Sequence, residues 1–387
     1  MIPYIIIISL LIYLIIKYDI NSCRFGREKW ENVITVLLIL MAGLRYHIGS
    51  DTIQYELNFN YCPSITELFQ SNRWLLGREP LWVLFMSIIK SVWNNFIFFQ
   101  FVVAIIFNTL LLNFIRQTTN KTFTVFLVVY CVCWWNFNFE ILRESISVIL
   151  YLYSILWLSK KDYVYYLIVS LVILFIHRFS FVIVLLTPIV LFQNRKVVFT
   201  LLSLFVAYAL LFIDRSFFDL IFDIIFEYSS DSVSNKLGTY IDSTNEGFHG
   251  LNIIGLIELS LLSIILPTVV ILNSKKTPVN MFFPVLIGLY IIFAILKSKF
   301  SIAGRVNNYL EIIFIVEMVN TLYNNRAVKK YELIYKFLVC LFVFQGCYYF
   351  YKPTYFEKRK YITYDVRYIP YGTIFESPDE TREAALK

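Results

Sequence analysis

The sequence predicts an all-α integral membrane protein, a polytopic helical bundle of about twelve transmembrane helices, and three observations carry that reading. Of the 387 residues, 59% are hydrophobic and 16% are charged, whereas a soluble domain has about 25% charged residues. The mean hydropathy is +0.68. Apolar segments of spanning length follow one another along the chain, and about twelve of them at ~20 residues each occupy ~240 residues. Short connections, two longer loops and a tail remain, which leaves no room for a second, soluble catalytic domain.

The first segment, 2–18, lacks a basic leader and a small-residue cleavage site, so it reads as an uncleaved helix rather than a signal peptide. Segment 32–48 follows. Segment 79–93 is the weakest, because it opens on Glu79-Pro80 and carries Lys90 and Asn94 at its far end. Segments 96–116, 122–138, 141–159, 163–178, 179–193 and 197–213 come next, then 253–272, 279–296, 303–323 and 333–350. Residues 1–350 thus form a single transmembrane catalytic domain with hydrophilic loops at 49–78 and 214–252, followed by a Tyr-rich tail at 351–387 whose end, Ser377 to Lys387, is polar.

Basic residues in short loops favour the cytoplasm. Lys17, Arg24, Arg27 and Lys29, then Arg116 and Lys121, Lys160 and Lys161, Arg195 and Lys196, Lys275 and Lys276, and Arg326, Lys329 and Lys330 all fall on one side if 79–93 does not cross. That segment is then an interfacial or re-entrant helix on the outer face. Both termini, both long loops and the tail lie outside.

A second class of basic residues sits at the outer helix ends: Arg45, Arg143, His177, Arg178, Lys297, Lys299 and Arg305. A charge at the bilayer centre costs ~2.5–3.5 kcal/mol on insertion scales, so such residues usually face a bundle interior or a wet cavity. Their recurrence is the main functional signal. Other classes find little support. The net charge of +7 is scattered rather than gathered in a stripe, against nucleic-acid binding. The six cysteines mostly lie in apolar segments and lack zinc-ligand spacing. The acids are dispersed with no Asp-x-Asp, which disfavours a divalent metal, and no cofactor is implied.

Four constellations hold the candidates. In Leu44-Arg45-Tyr46-His47-Ile48-Gly49-Ser50-Asp51, Gly49 lets the chain turn after a helix and Asp51 is placed to orient Arg45; an Arg that merely snorkels beside a helix terminus fits the same pattern. In Asn136 to Ser147, Arg143 opens a helix whose first turn is expected to hold Glu140 and Glu144. Acids there suit the helix dipole and a cation does not, so Arg143 is placed for an anion or for its acidic neighbours. In Ile176-His177-Arg178-Phe179-Ser180, His177 is either a general base or a capping residue. In Lys297 to Tyr309, Lys297, Lys299 and Arg305 form a cationic entrance, and Asn308 and Tyr309 share a helix face with Arg305. Guanidinium groups converging from separate helices match the paired oxygens of a diphosphate and stabilise a departing one without metal. Tyr55, like Tyr61, Trp74, Tyr228 and Tyr240 in the long loops, offers a ring that can stack on a sugar face, although compositional bias and interfacial anchoring account for most such aromatics.

These residues resemble the EpsG-like polysaccharide polymerases, the wider group that includes many Wzy O-antigen polymerases. Leu44-Arg45-Tyr46 with Gly49, Asp51 and Tyr55 is similar to the family's Leu-Arg-Tyr…Gly-x-Asp…Tyr signature. Glu79-Pro80-Leu81, Phe139 to Ser145 around Arg143, Ile176 to Ser180, Ala303-Gly304-Arg305 with Tyr309, and Ile369-Pro370-Tyr371 follow in the expected order. The chain departs at Glu144, where the family usually has Gln, and at Arg178, where it commonly has Lys or Pro.

The resemblance implies a GT-C-like, metal-independent glycosyltransferase in the bacterial cytoplasmic membrane. Its donor and acceptor are undecaprenyl-diphosphate-linked glycans, joined on the periplasmic or outer face into O-antigen, capsule or exopolysaccharide. A chain-length regulator and a flippase are the expected partners. Carried onto this sequence, Arg143 and Arg305 grip the diphosphates, Arg45 is a third contact oriented by Asp51, His177 is the base, and Tyr55 and Tyr309 touch sugar or phosphate. The competing reading is a lipid-glycan flippase or other transporter. Such carriers usually show internal repeats and charges along a path through the bilayer, and neither is visible here.

Overall fold

A computed structural model describes residues 2–49, 51–70, 79–212, 257, 259–274, 280–299, 302–324, 332–351, 368 and 371–376. The second long loop, 214–252, with His249, lies outside the described residues, as do 71–78, 352–367 and 377–387. Among the described residues every regular element is helical and there is no strand. The chain forms two compact units, Met1–Ser180 with Phe342–Lys387, and Phe181–Leu341.

The first unit contains α1 (Ile2–Leu14, continued by a π turn over Ile15–Ile20), α2 (Arg27–Gly43), the short α3 (Thr52–Tyr61) and α4 (Ile65–Gln70), α5 (Pro80–Val92) and α6 (Phe96–Thr118). It continues through α7 (Thr122–Val129), α8 (Leu142–Ser159) and α9 (Tyr163–Ile176). Among the described residues Ile2–Ile20, Phe96–Thr118 and Leu142–Ser159 are long and apolar enough to cross a bilayer, and shorter apolar helices of 10–17 residues, such as Pro80–Val92 and Tyr163–Ile176, accompany them.

α7 does not stop at Val129. Its axis carries on through π turns at Tyr130–Trp134 and Asn136–Glu140, so the segment is helical from Thr122 to Glu140. A π turn leaves backbone groups poorly paired, and amides supply the missing partners here. Asn138 Nδ2 donates to the Trp134 carbonyl at 3.0 Å, Trp134 Nε1 donates to Asn108 Oδ1 at 2.8 Å, and Asn108 Nδ2 donates to Asn138 Oδ1 at 2.9 Å. This closed network joins α6 to α7 where water is not available to satisfy polar groups. The sequence expectation for Glu140 is corrected by the same feature: Glu140 closes the preceding helix, Ile141 breaks it, and only Glu144 lies in the first turn of α8.

The two ends of this unit differ in chemistry. At one, Arg27 on α2 reaches Asp19 at 3.0 Å and Glu31 at 3.1 Å, while Arg116 at the end of α6 reaches Glu31 at 2.7 Å. Asp19 is fully buried and also accepts from the Thr124 N–H at 2.7 Å and its hydroxyl at 2.8 Å. At the other end lie the last residues of α2, the start of α8 and the end of α9. α5 belongs to that second end over its whole length. It begins at Glu79, beside Arg143 and Arg178. It ends just before α6, whose Gln100 donates to the carbonyls of Gly43 at 2.9 Å and Arg45 at 3.0 Å. Its 13 residues make a rod of about 20 Å, short of the ~30 Å hydrocarbon layer. An aromatic core of Phe59, Trp82, Phe96 and Phe99 fastens α3, α5 and α6 together there.

The second unit holds α10 (Ser180–Leu186, its first residue closing the first unit) with a 3₁₀ stretch over Thr187–Arg195, α11 (Lys196–Phe212), a π turn at Leu259–Ile265 running into α12 (Leu266–Asn273), α13 (Phe283–Lys299) and α14 (Ala303–Leu322). α15 (Glu332–Tyr351) begins in it and continues into the first unit. α13 packs on α11 and α14, with Tyr290 stacked on Phe314 at 4.6 Å. Beside α11, a Cβ on Gly288 would lie 2.7 Å from the Phe199 ring, so the absence of a side chain is what admits this crossing.

Candidate functional site

The site is assembled where α2 ends. Its last residues give way at Leu44 to a turn in which His47 takes φ +47° and Gly49 φ +102°. A non-glycine residue in that region is a strained position of the kind that clusters at functional sites. Thr52 ties the turn by donating to the Ile48 carbonyl at 2.6 Å, and His47 Nε2 meets Glu56 at 2.9 Å. Gly49 lies against the backbone just ahead of α8, and an added Cβ would come within 2.5 Å of the Phe139 carbonyl oxygen. Gly49→Ala therefore combines an unfavourable φ with a clash, and we expect a loss of about 1–3 kcal/mol. Thermal unfolding of the detergent-solubilised protein checks it; an unchanged Tm would mean the turn has room to move.

Arg45 is inside this turn. Expected as a substrate contact, it has no exposed surface in this structure. Its Nε donates to the Ile48 carbonyl at 3.3 Å, its Nη1 donates to the Ala42 carbonyl, and the guanidinium lies 4.9 Å from the centre of the Phe139 ring. Its electrostatic neighbours are Tyr371, Glu140 and Tyr4. Asp51, expected to orient it, is exposed at the start of α3, whereas the described hydrogen bonds of the Arg45 guanidinium run to carbonyls. Arg45 thus fastens the turn to Phe139 and, through it, to the beginning of α8.

Arg143 stands at the second position of α8, where the helix dipole disfavours a cation. The compensation comes from Glu79, the residue before α5. Glu79 Oε2 pairs with Arg143 Nη1 at 2.5 Å, and Glu79 Oε1 accepts the Arg178 N–H at 3.3 Å. One largely buried carboxylate therefore joins the start of α8 to the turn after α9. The Glu79 side chain is 7% exposed and that of Arg143 16%, so the pair is largely desolvated while the arginine side chain keeps some contact with solvent. Among the described residues, Arg143 Nε and Arg45 Nη2 are buried nitrogens without a hydrogen-bond partner.

His177 ends α9 and is 1% exposed. Its Nε2 lies 3.7 Å from Glu144 Oε2, one residue past Arg143, within ion-pair reach but beyond a hydrogen bond. The Ser180 hydroxyl donates to the His177 carbonyl at 2.5 Å and holds the turn. Arg178 is exposed. Tyr55, on α3, accepts the Arg143 N–H at 3.5 Å and sits edge-on to Trp82. Burial pushes its hydroxyl up to about 12. Because the raised value favours the protonated form, the hydroxyl stays neutral through the ordinary tyrosine range near 10. The Tyr55→Phe variant should therefore keep the wild-type shape of the activity–pH profile up to pH about 10; a displaced alkaline limb in that variant would refute this.

The second unit carries the remaining candidates. Arg305, at the third position of α14, is half-buried, and Tyr309, one turn on, is fully buried beside Asn308. Lys297, near the end of α13, is exposed, and its stem lies 3.4 Å from where a Cβ on Gly304 would sit. Lys299 closes α13. The first unit thus groups Arg45, Tyr55, Arg143, His177 and Arg178, and the second groups Lys297 with the start of α14. Glu79 escaped the sequence reading as a site residue. Its signal was an acid directly before the Pro80 that opens a helix, a common capping pattern, which says nothing of two partners on distant helices. Among the described residues no cluster of His, Cys, Asp and Glu is suited to a metal ion.

The first unit is that of a helical membrane protein with a largely buried Arg–Glu pair, a buried His and an arginine-fastened turn gathered at one end. The EpsG family model matches residues 30–372, and the chain belongs to the EpsG family. That membership indicates a polysaccharide-polymerase-like, glycosyltransferase-type role in a membrane. No curated protein and no solved structure gives a match.

Proposed function

We propose that the protein polymerises undecaprenyl-diphosphate-linked repeat units on the outer face of the bacterial cytoplasmic membrane, without a metal ion. The observation that carries this reading is the arrangement at Arg143. A guanidinium is held by one nitrogen on Glu79, belongs to a side chain that keeps some contact with solvent, and comes from the residue before Glu144, the partner of His177. A guanidinium fixed in this way offers paired donors to a diphosphate and stabilises the charge that develops as the lipid diphosphate leaves. His177 takes the proton of the acceptor hydroxyl, and Glu144 stabilises the imidazolium that results.

Arg305, with Lys297 and Lys299, supplies a second cationic contact for lipid diphosphate, and Tyr309 lines it. Arg45 acts by fixing the turn. α5 lies on the outer face, since both of its ends are at the end of the first unit opposite the Asp19–Arg27–Glu31 cluster. Reconstitution tests the reading. Purified protein in liposomes, given the lipid-linked repeat unit of its host, should yield a glycan ladder and free undecaprenyl diphosphate in the presence of a chelator. Absence of a ladder with active flippase and acceptor present, or a ladder that requires a divalent ion, would overturn it.

A further inference from the structure

The end of the chain returns to the site. The described residues 371–376 run antiparallel to the turn after α2. The Tyr46 N–H donates to the Gly372 carbonyl at 3.1 Å, the Ile374 N–H donates to the Leu44 carbonyl at 3.1 Å, and Thr373 lies opposite Arg45. Side chains add to this. The Tyr371 hydroxyl donates to the Met41 carbonyl at 2.7 Å, and its ring meets Tyr4 edge-on at 5.7 Å. The Tyr4 hydroxyl donates to the Tyr368 carbonyl, and the Tyr368 ring lies 6.3 Å from that of Phe139, the ring under Arg45. Glu376 accepts the Thr373 N–H at 3.0 Å and closes the segment on itself.

These bonds satisfy carbonyls that the end of α2 leaves open. They fall on Leu44 and Tyr46, which flank Arg45, and on Met41 one turn earlier, while Tyr368 packs near the Phe139 ring that receives the Arg45 charge. We propose that residues 371–376, together with Tyr368, are a positioning strap, with Tyr371 and the Ile374 N–H as its fastenings. The strap holds the Arg45 turn against Phe139 and thereby keeps the start of α8 and Arg143 in working geometry. This rests on the polymerase reading above only for its activity readout. The strap touches no reacting atom, so it acts on turnover rather than on substrate affinity.

Ile374→Pro removes the donor to Leu44 and changes no site side chain chemically. It should lower kcat about tenfold or more, leave the KM for the lipid-linked unit within about twofold, and leave membrane abundance unchanged. Phe375→Ala, at an outward position 78% exposed, should be neutral. In an Arg45→Ala background Ile374→Pro should cost little further, because both act through one turn. Fully additive losses, or an equal effect of Phe375→Ala, would overturn the proposal.

A benzophenone amino acid in place of Thr373 gives a readout that needs no activity: on illumination in membranes it should capture the Met41–Ile48 peptide. Capture of another segment overturns the strap. Capture, together with no polymer from the native protein in the liposome assay, upholds the strap and overturns the polymerase reading instead.

Discussion

Arg143→Lys is expected to reduce polymer formation by about 10²-fold or more, and Arg143→Ala to abolish long-chain product. A factor of 10² corresponds to about 2.7 kcal/mol of transition-state stabilisation. Lysine keeps the charge but loses the fork. It can take either the place of Nη1 on Glu79 or the place that faces the substrate, and not both. In the proposed mechanism Nη1, 2.5 Å from Glu79, serves the ion pair and the rest of the guanidinium serves the substrate. Glycan gels of complemented cells, normalised to protein in the membrane, read the effect. Native chain length with Arg143→Lys would mean that only the charge at this position matters, and the bidentate argument would fail.

The second large effect belongs to Glu79. Glu79→Gln leaves an acceptor for the Arg178 N–H but takes the counter-charge from Arg143. Removing one partner of a buried ion pair typically costs about 3–5 kcal/mol, and the lower end applies because Arg143 retains some contact with solvent. The consequence has two parts: less protein in the membrane, and a fall in activity per molecule of about tenfold or more as Arg143 loses its orientation. Glu79→Gln combined with Arg143→Gln should restore much of the abundance and none of the activity. Recovery of both together would show that Glu79 serves the fold alone.

Much of this was legible in the sequence, for reasons that can be named. Arg143 stood out because a cation at the start of an apolar helix opposes the dipole, and His177 because it interrupts two apolar runs. The run of basic residues Arg27, Arg116 and Lys121 was visible through loop charge alone. What escaped depends on contacts that no local pattern encodes. Glu79 meets partners 64 and 99 positions away. Glu144, expected in the first turn of its helix as a dipole partner or a neighbour for Arg143, turns out to face His177. Arg45 was recognised as unusual, but a guanidinium that turns inward to carbonyls and one that reaches outward to substrate have the same sequence. The helix break at Ile141 was blurred for another reason: π turns extend α7 to Glu140 without changing its apolar character.

The opposite end of the first unit has a consequence for biogenesis. Arg27 and Arg116 are among the charges that bias how a nascent helix enters the bilayer, yet after folding each is bonded to Asp19 or Glu31. The same side chains thus serve in turn as insertion signal and as rivet. Lysine at either position preserves the first duty and weakens the second, whereas glutamine forfeits both. Errors of insertion and errors of assembly at this end can therefore be told apart by a choice of residue.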